Sequence, residues 1–379
     1  MASADALLLR FIRRFALVAL LAVAAASCGK EPTAPVVEPP PTLTPEAELA
    51  NRLQQGWATL TPGLRGVSVA VLTRDDKLYT ATVGASAPWA NSPALSATHR
   101  FRVASVSKSL MAALILKLAE EGRLDLDDKV TEHWPDCPVP NAGSITLRQL
   151  LSHTAGVFDH LNANVFWDDP ANTSTKVWTL EEILGFAARN GPLFAPGTSY
   201  AYSNTGICVL GGVVERILGT SYGTAVAQRL AGPMGLTSTL YDDFSTADAK
   251  IPNLAESAAA YSYHATAACA AGAMVSSPTD MVRFGRQVYG GRFLSASSTA
   301  EMTVNRGKAL GGQDYGLGTR LWTRYGTSYH GHTGSLMDYR TILMYVPSGD
   351  LTIAMAANGA HDSWTTLTYY MFDWALARF

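Results

Sequence analysis

Strand-like runs sit at the two ends of this chain and helix-like segments fill its middle. That distribution constrains the fold more than any single motif does. Residues 66–72, GVSVAVL, form an apolar run rich in β-branched side chains. Arg74-Asp75-Asp76-Lys77 supplies a turn and Leu78 to Val83 a second strand, so the stretch predicts a hairpin. Strand signals return only late, at Thr319–Tyr325, Tyr339–Val346 and Leu351–Ala357, separated by turn chemistry such as Pro347-Ser348-Gly349-Asp350. Leu49, Leu53, Trp57 and Leu60 recur at helical spacing before the first strand, and Trp364–Arg378 reads as a helix after the last. Between them, helical segments such as Leu147–Leu151, Leu180–Ala188, Gly206–Leu218 and Thr279–Tyr289 are split by Pro and Gly turns. The expected fold class is α/β, of the α+β type. An antiparallel sheet flanked by helices is built from both chain ends, with an all-α lobe inserted. The α/β lobe is expected at about 46–122 and 285–379, the helical lobe at about 123–284, with no internal repeat.

The first 45 residues do not belong to that fold. Arg10, Arg13 and Arg14 precede the apolar run Phe15–Ala26, which is too short to span a bilayer as a helix. Ala25-Ala26-Ser27 and Cys28 follow, so residues 1–27 read as an export signal. The cysteine after small residues resembles the lipobox of bacterial lipoproteins, which implies lipidation at Cys28. Ala25 stands where that box usually has Leu or Val, which leaves simple cleavage and secretion as the alternative. Residues 28–45 are proline-rich and read as an extended tether. The expected place is the cell envelope on the periplasmic side, with membrane contact only through the lipid anchor. A net charge of −2, with no basic block beyond residue 14, gives nucleic acid no electrostatic handle. Four cysteines exclude a disulfide scaffold, and with Cys28 lipidated at least one of Cys137, Cys208 and Cys269 is unpaired. Cys208, in an apolar helical run, reads as a small buried hydrophobe.

The chemistry starts at "FRVASVSKSL", residues 101–110. Ser105 and Lys108 are three apart at the mouth of a helix, so the amine can reach the hydroxyl. A serine is a weak nucleophile until a base takes its proton, and an apolar helix behind Lys108 would hold the amine's pKa down. Taken alone, the pair reads as a helix cap and a solvated lysine. Two further stretches change this. "YSNT" places Tyr202 two residues before Asn204, ahead of a helix starting near Gly206. "GHTGS", 331–335, places His332 on a strand edge followed by a glycine turn.

Ser-x-x-Lys, Tyr-x-Asn and His-Thr-Gly in this order resemble the penicillin-recognising serine hydrolases. That superfamily holds D-alanyl-D-alanine carboxypeptidases, class C β-lactamases and related esterases. The surroundings "LRQLLSHTAGV", "FAPGTSYAYSNTGICVLGGVVE", "AAGAMVSSPTDMVRFG" and "YGLGTRLW" extend the likeness over nearly all of 46–379. The resemblance implies a Ser105 acyl-enzyme, with Lys108 and Tyr202 sharing the proton traffic. Either of these two could be the acylation base, and a Tyr202 phenolate would need the adjacent Lys108 ammonium. Asn204 would bind the substrate's amide, His332 and Thr333 would line the substrate site, and the backbone N–H groups of Ser105 and Ser335 would form the oxyanion hole. Where many members carry lysine this chain has His332, mostly neutral above pH 7 and a poor carboxylate anchor. Arg320, on the preceding strand, is the candidate replacement, since a guanidinium grips a carboxylate in two places.

Decoys are weaker. "GTSYG", 219–223, fits a nucleophile elbow, but the segment before Ser221 has helical rather than strand periodicity. The pairs His330/His332 and His153/His160 lack a third ligand at convincing spacing and read as structural or substrate-lining. Phe166, Trp167 and Trp178 read as core. No metal or organic cofactor is implied, and the expected partner is a small-molecule or peptide substrate. The reading is therefore an exported serine acyl hydrolase acting on peptidoglycan stem peptides, like a D-Ala-D-Ala carboxypeptidase. A β-lactamase or small-ester hydrolase is the alternative, and a non-catalytic cell-wall peptide sensor the remote one.

Overall fold

Thr44 and Pro45 start the first helix. The Thr44 hydroxyl accepts from the Ala47 N–H, proline takes a first-turn position that needs no N–H partner, and Glu46 and Glu48 meet the positive end of the helix dipole. The computed structural model describes residues 43–61, 64–242, 253–257, 264–308 and 314–379. The export signal, Cys28 and all but the last residues of the tether lie outside them.

In chain order the elements are α1 (Pro45–Leu60), β1 (Gly66–Leu72), β2 (Leu78–Gly84), β3 (Phe101–Arg102), α2 (Ser107–Glu120), α3 (Val130–His133), α4 (Leu147–Leu151), α5 (Asn164–Trp167), α6 (Leu180–Asn190), α7 (Asn204–Leu218), α8 (Tyr222–Val226) and α9 (Gly232–Met234). There follow β4 (Leu240–Tyr241), α10 (Cys269–Gly272), β5 (Met274–Ser276), α11 (Pro278–Tyr289), α12 (Ala296–Thr303), β6 (Gly307–Lys308), β7 (Asp314–Tyr315), β8 (Arg320–Arg324), β9 (Thr327–Leu336), β10 (Tyr339–Val346), β11 (Leu351–Ala357) and α13 (Trp364–Arg378).

The main sheet is antiparallel, in the order β2-β1-β11-β10-β9-β8-β7-β6. The two chain ends meet where β1 pairs with β11, the second and third strands of the eight. Period-two alternation then builds two cores. Val67, Val69 and Val71 face the α1 and α13 side, with Leu49, Leu53, Leu367 and Phe372. Ala70 and Leu72 face the other side, with α2 and α11. The expected boundary at 284/285 falls inside α11. That helix lies across β1, β10 and β11, because Gly285 has no side chain to hold it off Leu343 and Thr352. A second, small sheet orders β3-β5-β4. No helix among the described residues is long and apolar enough to cross a membrane.

Two features of the fold position the site. First, α2 is buried along most of its length, Leu110 to Leu116 included, and each leucine, methionine or isoleucine there contributes about 2 kcal/mol of burial. Second, β9 outruns its neighbour. β8 pairs with residues 327–331, while 332–336 pair with β10. From His332 on, β9 therefore has a free edge on the β8 side, as the sequence predicts, although its first half is interior. The expected glycine turn is absent: Gly334 lies within β9 and the turn falls at Met337-Asp338. A Cβ at Gly334 would run into Thr341 Oγ1 and the Val103 carbonyl, so this glycine lets β9 lie directly against the turn that carries Ser105.

Cys208 is not a lone buried thiol. It is bonded to Cys269, Cα to Cα 5.8 Å, tying α7 to α10, while Cys137 is free. Their separation of 61 residues concealed the pair. Ser221 caps α8 in a helix–helix turn, as its periodicity predicts.

Candidate active site

Ser105 lies in a 3₁₀ turn, Ala104–Val106, that runs into α2. The turn is held on two sides. Val103 N–H donates to the Met274 carbonyl at 3.0 Å, and Thr341 Oγ1 donates to the Val103 carbonyl at 2.8 Å. Ala104 has φ +49°, a left-handed conformation that costs a residue with a Cβ about 1–2 kcal/mol. Strain of this kind persists where the surroundings over-determine the backbone, and here it immediately precedes the candidate nucleophile.

Lys108 is fully buried, with Nζ 3.0 Å from Ser105 Oγ, 2.7 Å from Asn204 Oδ1 and 2.9 Å from the Ala271 carbonyl. Burial, assisted by Arg320, draws its pKa down to about 7 against the opposing pull of Asp159. A neutral amine has two N–H groups and one lone pair. Two of its three partners are acceptors only, so both N–H groups are spent on Asn204 and Ala271. The lone pair is left for Ser105, whose O–H then donates to it.

Tyr202 meets the same oxygen through a side-chain hydrogen bond with Ser105. Burial nevertheless raises its pKa well above the ordinary phenol value. Lys108 Nζ lies 4.8 Å from the centroid of the Tyr202 ring. Burial thus keeps Tyr202 a neutral phenol, which favours Lys108 of the two expected bases.

Asn204 is the first residue of α7, and Ser203 caps that helix by accepting from the Gly206 N–H at 3.1 Å. The Asn204 side chain bridges two charges. Its Oδ1 takes the Lys108 bond, and its Nδ2 donates to Asp159 at 3.1 Å. One lone pair of Oδ1 is left for a substrate amide. Asp159 was not singled out from the sequence. It is buried, and also accepts from Leu161 N–H and Asn162 Nδ2. Burial raises its pKa, and these donors hold it down. A lone carboxylate in "GVFDHL", with no partner at helical spacing, gives no sequence signal.

The expected substrate-site residues separate by strand parity. Thr333, Ser335 and Arg320 line a cavity of about 330 Å³ together with Ser105, Tyr202 and Asn204. His332, one residue from Thr333, points to the opposite face of β9 and is fully buried behind the cavity. Its place is in a chain of hydrogen bonds. Ser203 N–H donates to His153 Nδ1 at 3.2 Å, so His153 Nε2 carries the proton toward Tyr315 Oη at 3.2 Å. Tyr315 Oη lies 3.0 Å from His332 Nε2, and His332 Nδ1–H donates to the Thr333 carbonyl at 2.6 Å. The backbone groups at the two ends fix both tautomers. Burial drives both imidazoles well below the usual histidine range, so both are neutral. His332 is thus no direct carboxylate ligand, and Arg320 is the cation in the cavity wall. Trp167 lines the cavity, with Nε1 donating to the Leu161 carbonyl at 2.7 Å, whereas Phe166 and Trp178 are core as expected.

The β-lactamase family model matches residues 49–375. The chain belongs to the β-lactamase family. It is accordingly a β-lactamase-fold serine hydrolase. Among its relatives, penicillin-binding protein 4 of Amycolatopsis lactamdurans is 28% identical over 282 residues, 68% of this chain and 72% of that protein. Penicillin-binding protein 4* of Bacillus subtilis is 26% identical over 69% of this chain, which spans 61% of that relative's length. The D-amino acid amidase of Ochrobactrum anthropi, solved with L-phenylalanine amide, superimposes with a TM-score of 0.76 at 25% identity. It covers 87% of this chain and 99% of its own. A penicillin-binding protein of Bacillus halodurans shares the fold, with a TM-score of 0.73 at 21% identity over 86% of this chain and 99% of its own.

Proposed function

We propose that this β-lactamase-family chain is an exported acyl hydrolase, acylated at Ser105, that removes the terminal residue from peptides ending in D-Ala-D-Ala. The observation that carries the reading is the Lys108 amine, stripped of other uses for its lone pair and 3.0 Å from Ser105 Oγ. In this reading Lys108 takes the Ser105 proton as Oγ bonds to the substrate carbonyl carbon. The Ser105 and Ser335 N–H groups hold the oxyanion, each donor worth about 3–4 kcal/mol. Tyr202, a neutral phenol bonded to the same oxygen, returns a proton to the leaving amine and is reprotonated from Lys108. Water then cleaves the ester by the reverse path. Arg320 in the cavity wall suits a terminal carboxylate, and the relatives named penicillin-binding proteins support both the peptide substrate and a place in the cell envelope. The leader and Cys28 would supply export and the lipid tether.

Hydrolysis of D-amino acid amides is a second reading, favoured by the likeness to D-amino acid amidase. The test is release of D-alanine from an N-acylated L-Lys-D-Ala-D-Ala peptide, against release of ammonia from D-phenylalanine amide, each with a Ser105→Ala control. D-Alanine release that depends on Ser105 supports the first reading. Ammonia release alone moves the assignment to the second, and activity surviving Ser105→Ala overturns both.

A further inference from the structure

The disulfide between Cys208 and Cys269 stands behind the two groups that hold the Lys108 amine. Cys208 lies one helical turn after Asn204 on α7, and Cys269 opens α10 two residues before Ala271. Asn204 Oδ1 and the Ala271 carbonyl are the acceptors of the two amine N–H groups. They come from different segments, and the bridge joins those segments covalently. Hydrogen bonds pin the α10 segment at its ends, where His160 Nε2 donates to the Ala267 carbonyl at 2.8 Å and the Met274 N–H donates to Ser107 Oγ at 3.3 Å. Between those points α10 is drawn against α7. Gly211 makes room for it, since a Cβ there would come within 2.9 Å of the Ala270 methyl. Cys269 has φ +38°, a left-handed backbone that disfavours a residue with a side chain. Such a conformation persists where its surroundings hold it, and here the bridge does so.

The bridge can also be reached. Cys208 and Cys269 line a cavity of about 270 Å³ with Trp178, Glu215 and Tyr222, and none of Ser105, Tyr202 and Asn204 is in its wall. Val177, in the same wall, is exposed, so the cavity opens to solvent. Cys208 is wholly buried, while Cys269 keeps a small exposed fraction, so an incoming sulfur meets Cys269 first.

We propose that Cys208 and Cys269 are positioning residues for Lys108, that rapid acylation requires their bridge to be closed, and that this cavity admits a small thiol that opens it. In that exchange the thiolate sulfur bonds to Cys269 Sγ, the S–S electron pair leaves on Cys208 Sγ, and Cys208 takes a proton from water. A second thiolate attacks the small molecule's sulfur, the bond to Cys269 Sγ breaks, and Cys269 is protonated in turn. The bridge is reduced and the two thiols leave as their disulfide. Cys269 then quits the left-handed region and carries the Ala271 carbonyl away from Nζ. Water reaches the amine, and because burial is the main cause of its lowered pKa, the pKa rises from about 7. This inference rests on the proposed reading, in which Lys108 is the base and the chain is exported. The reducing thiols of the cytosol would keep the bridge open and an oxidising envelope would close it, so acylation would wait for export.

The experiment uses the full chain in detergent, with p-nitrophenyl acetate as acyl donor. 2-Mercaptoethanol opens the bridge and its own disulfide recloses it, with the bridge state read by alkylation and intact mass. The acid limb of kcat/KM follows the pKa of the base. Opening is expected to move that limb up by about one pH unit or more, so that acylation is about tenfold slower near about pH 6 and recovers above about pH 9. The double variant Cys208→Ser, Cys269→Ser should show the raised limb without any thiol, and Cys137→Ser should respond to the thiol as the parent chain does. Asp159, Arg320, Tyr202 and the neutral His153, His160 and His332 also face Lys108, but all stand outside α10 and none is substituted. A limb that stays in place in the opened, folded chain overturns the proposal, whatever happens to the denaturation midpoint, and leaves the proposed function standing. A bridge that the thiol opens only in urea overturns it too. A reduced chain that loses its near-ultraviolet circular dichroism overturns the positioning role, because the bridge then holds the whole fold. Absence of Ser105-dependent turnover in the bridged chain overturns both the proposal and the reading beneath it.

Discussion

Replacing Asp159 by asparagine tests the assignment of Lys108 as the base, because it changes the amine's charge environment without touching the amine or the serine. Two hydrogen bonds of 2.7 and 3.1 Å, plus the width of one amide, put the Asp159 carboxylate about 7 Å from Lys108 Nζ. At an effective dielectric constant of about 20, a unit charge at that distance is worth about 2 kcal/mol, or between 1 and 2 pKa units. The sign is set by the protonation state. A carboxylate favours the ammonium, so Asp159 holds the Lys108 pKa up and its removal lets burial and Arg320 push it further down from about 7. A base must be unprotonated, so the acid limb of kcat/KM follows this pKa. In a pH series with a neutral chromogenic ester, Asp159→Asn is expected to move the limb downward by about 1–2 pH units. An asparagine with its oxygen at the Oδ1 position still accepts from Leu161 and Asn204, and only the Asn162 amide has to turn to meet the new NH2 group. A limb that stays in place in a variant that still acylates removes Lys108 as the titrating base. An upward shift contradicts the electrostatic sign.

Three further outcomes are expected. Arg320→Gln should raise KM for carboxylate-ended peptides by about 10–100-fold, the range for a charge-assisted pair, while neutral esters change little; equal effects on both substrates would refute the anchor role. Gly334→Ala should push β9 off Val103 and Thr341 and cost about 1–3 kcal/mol, seen as a lower denaturation midpoint together with slower acylation; an unchanged midpoint would show that the contact gives way freely. His153, His160 and His332 are all held below the ordinary histidine pKa, so the unfolded chain binds protons that the folded chain does not. Stability should fall as pH drops below about 6.5, by about 1.4 kcal/mol per pH unit for each such histidine, until the folded pKa is reached. Urea titrations from pH 7 to 5 measure the slope, and a flat profile would mean that these imidazoles are not neutral by burial.

Much of the fold was legible because its signals are local. The hairpin 66–83, the strands Tyr339–Val346 and Leu351–Ala357 and the helix Trp364–Arg378 follow from periodicity and turn residues within each segment. The Ser105–Lys108 pair was legible for the same reason: two residues three positions apart where one helix begins share a face.

What lay beyond the sequence depends on which segments touch. Asp159 joins the site only because α7 sets Asn204 between it and Lys108. Tyr315 and His153 matter only because β7 and the loop after α4 meet behind β9. His332 shows the division most sharply. Its place on a strand was readable, but strand parity turned it into the core and left Thr333, Ser335 and Arg320 at the cavity. Composition and periodicity fix elements because the forces involved act over a few residues. Which face of a strand meets substrate, and whether a buried amine loses its proton, are decided by contacts between residues tens to hundreds of positions apart.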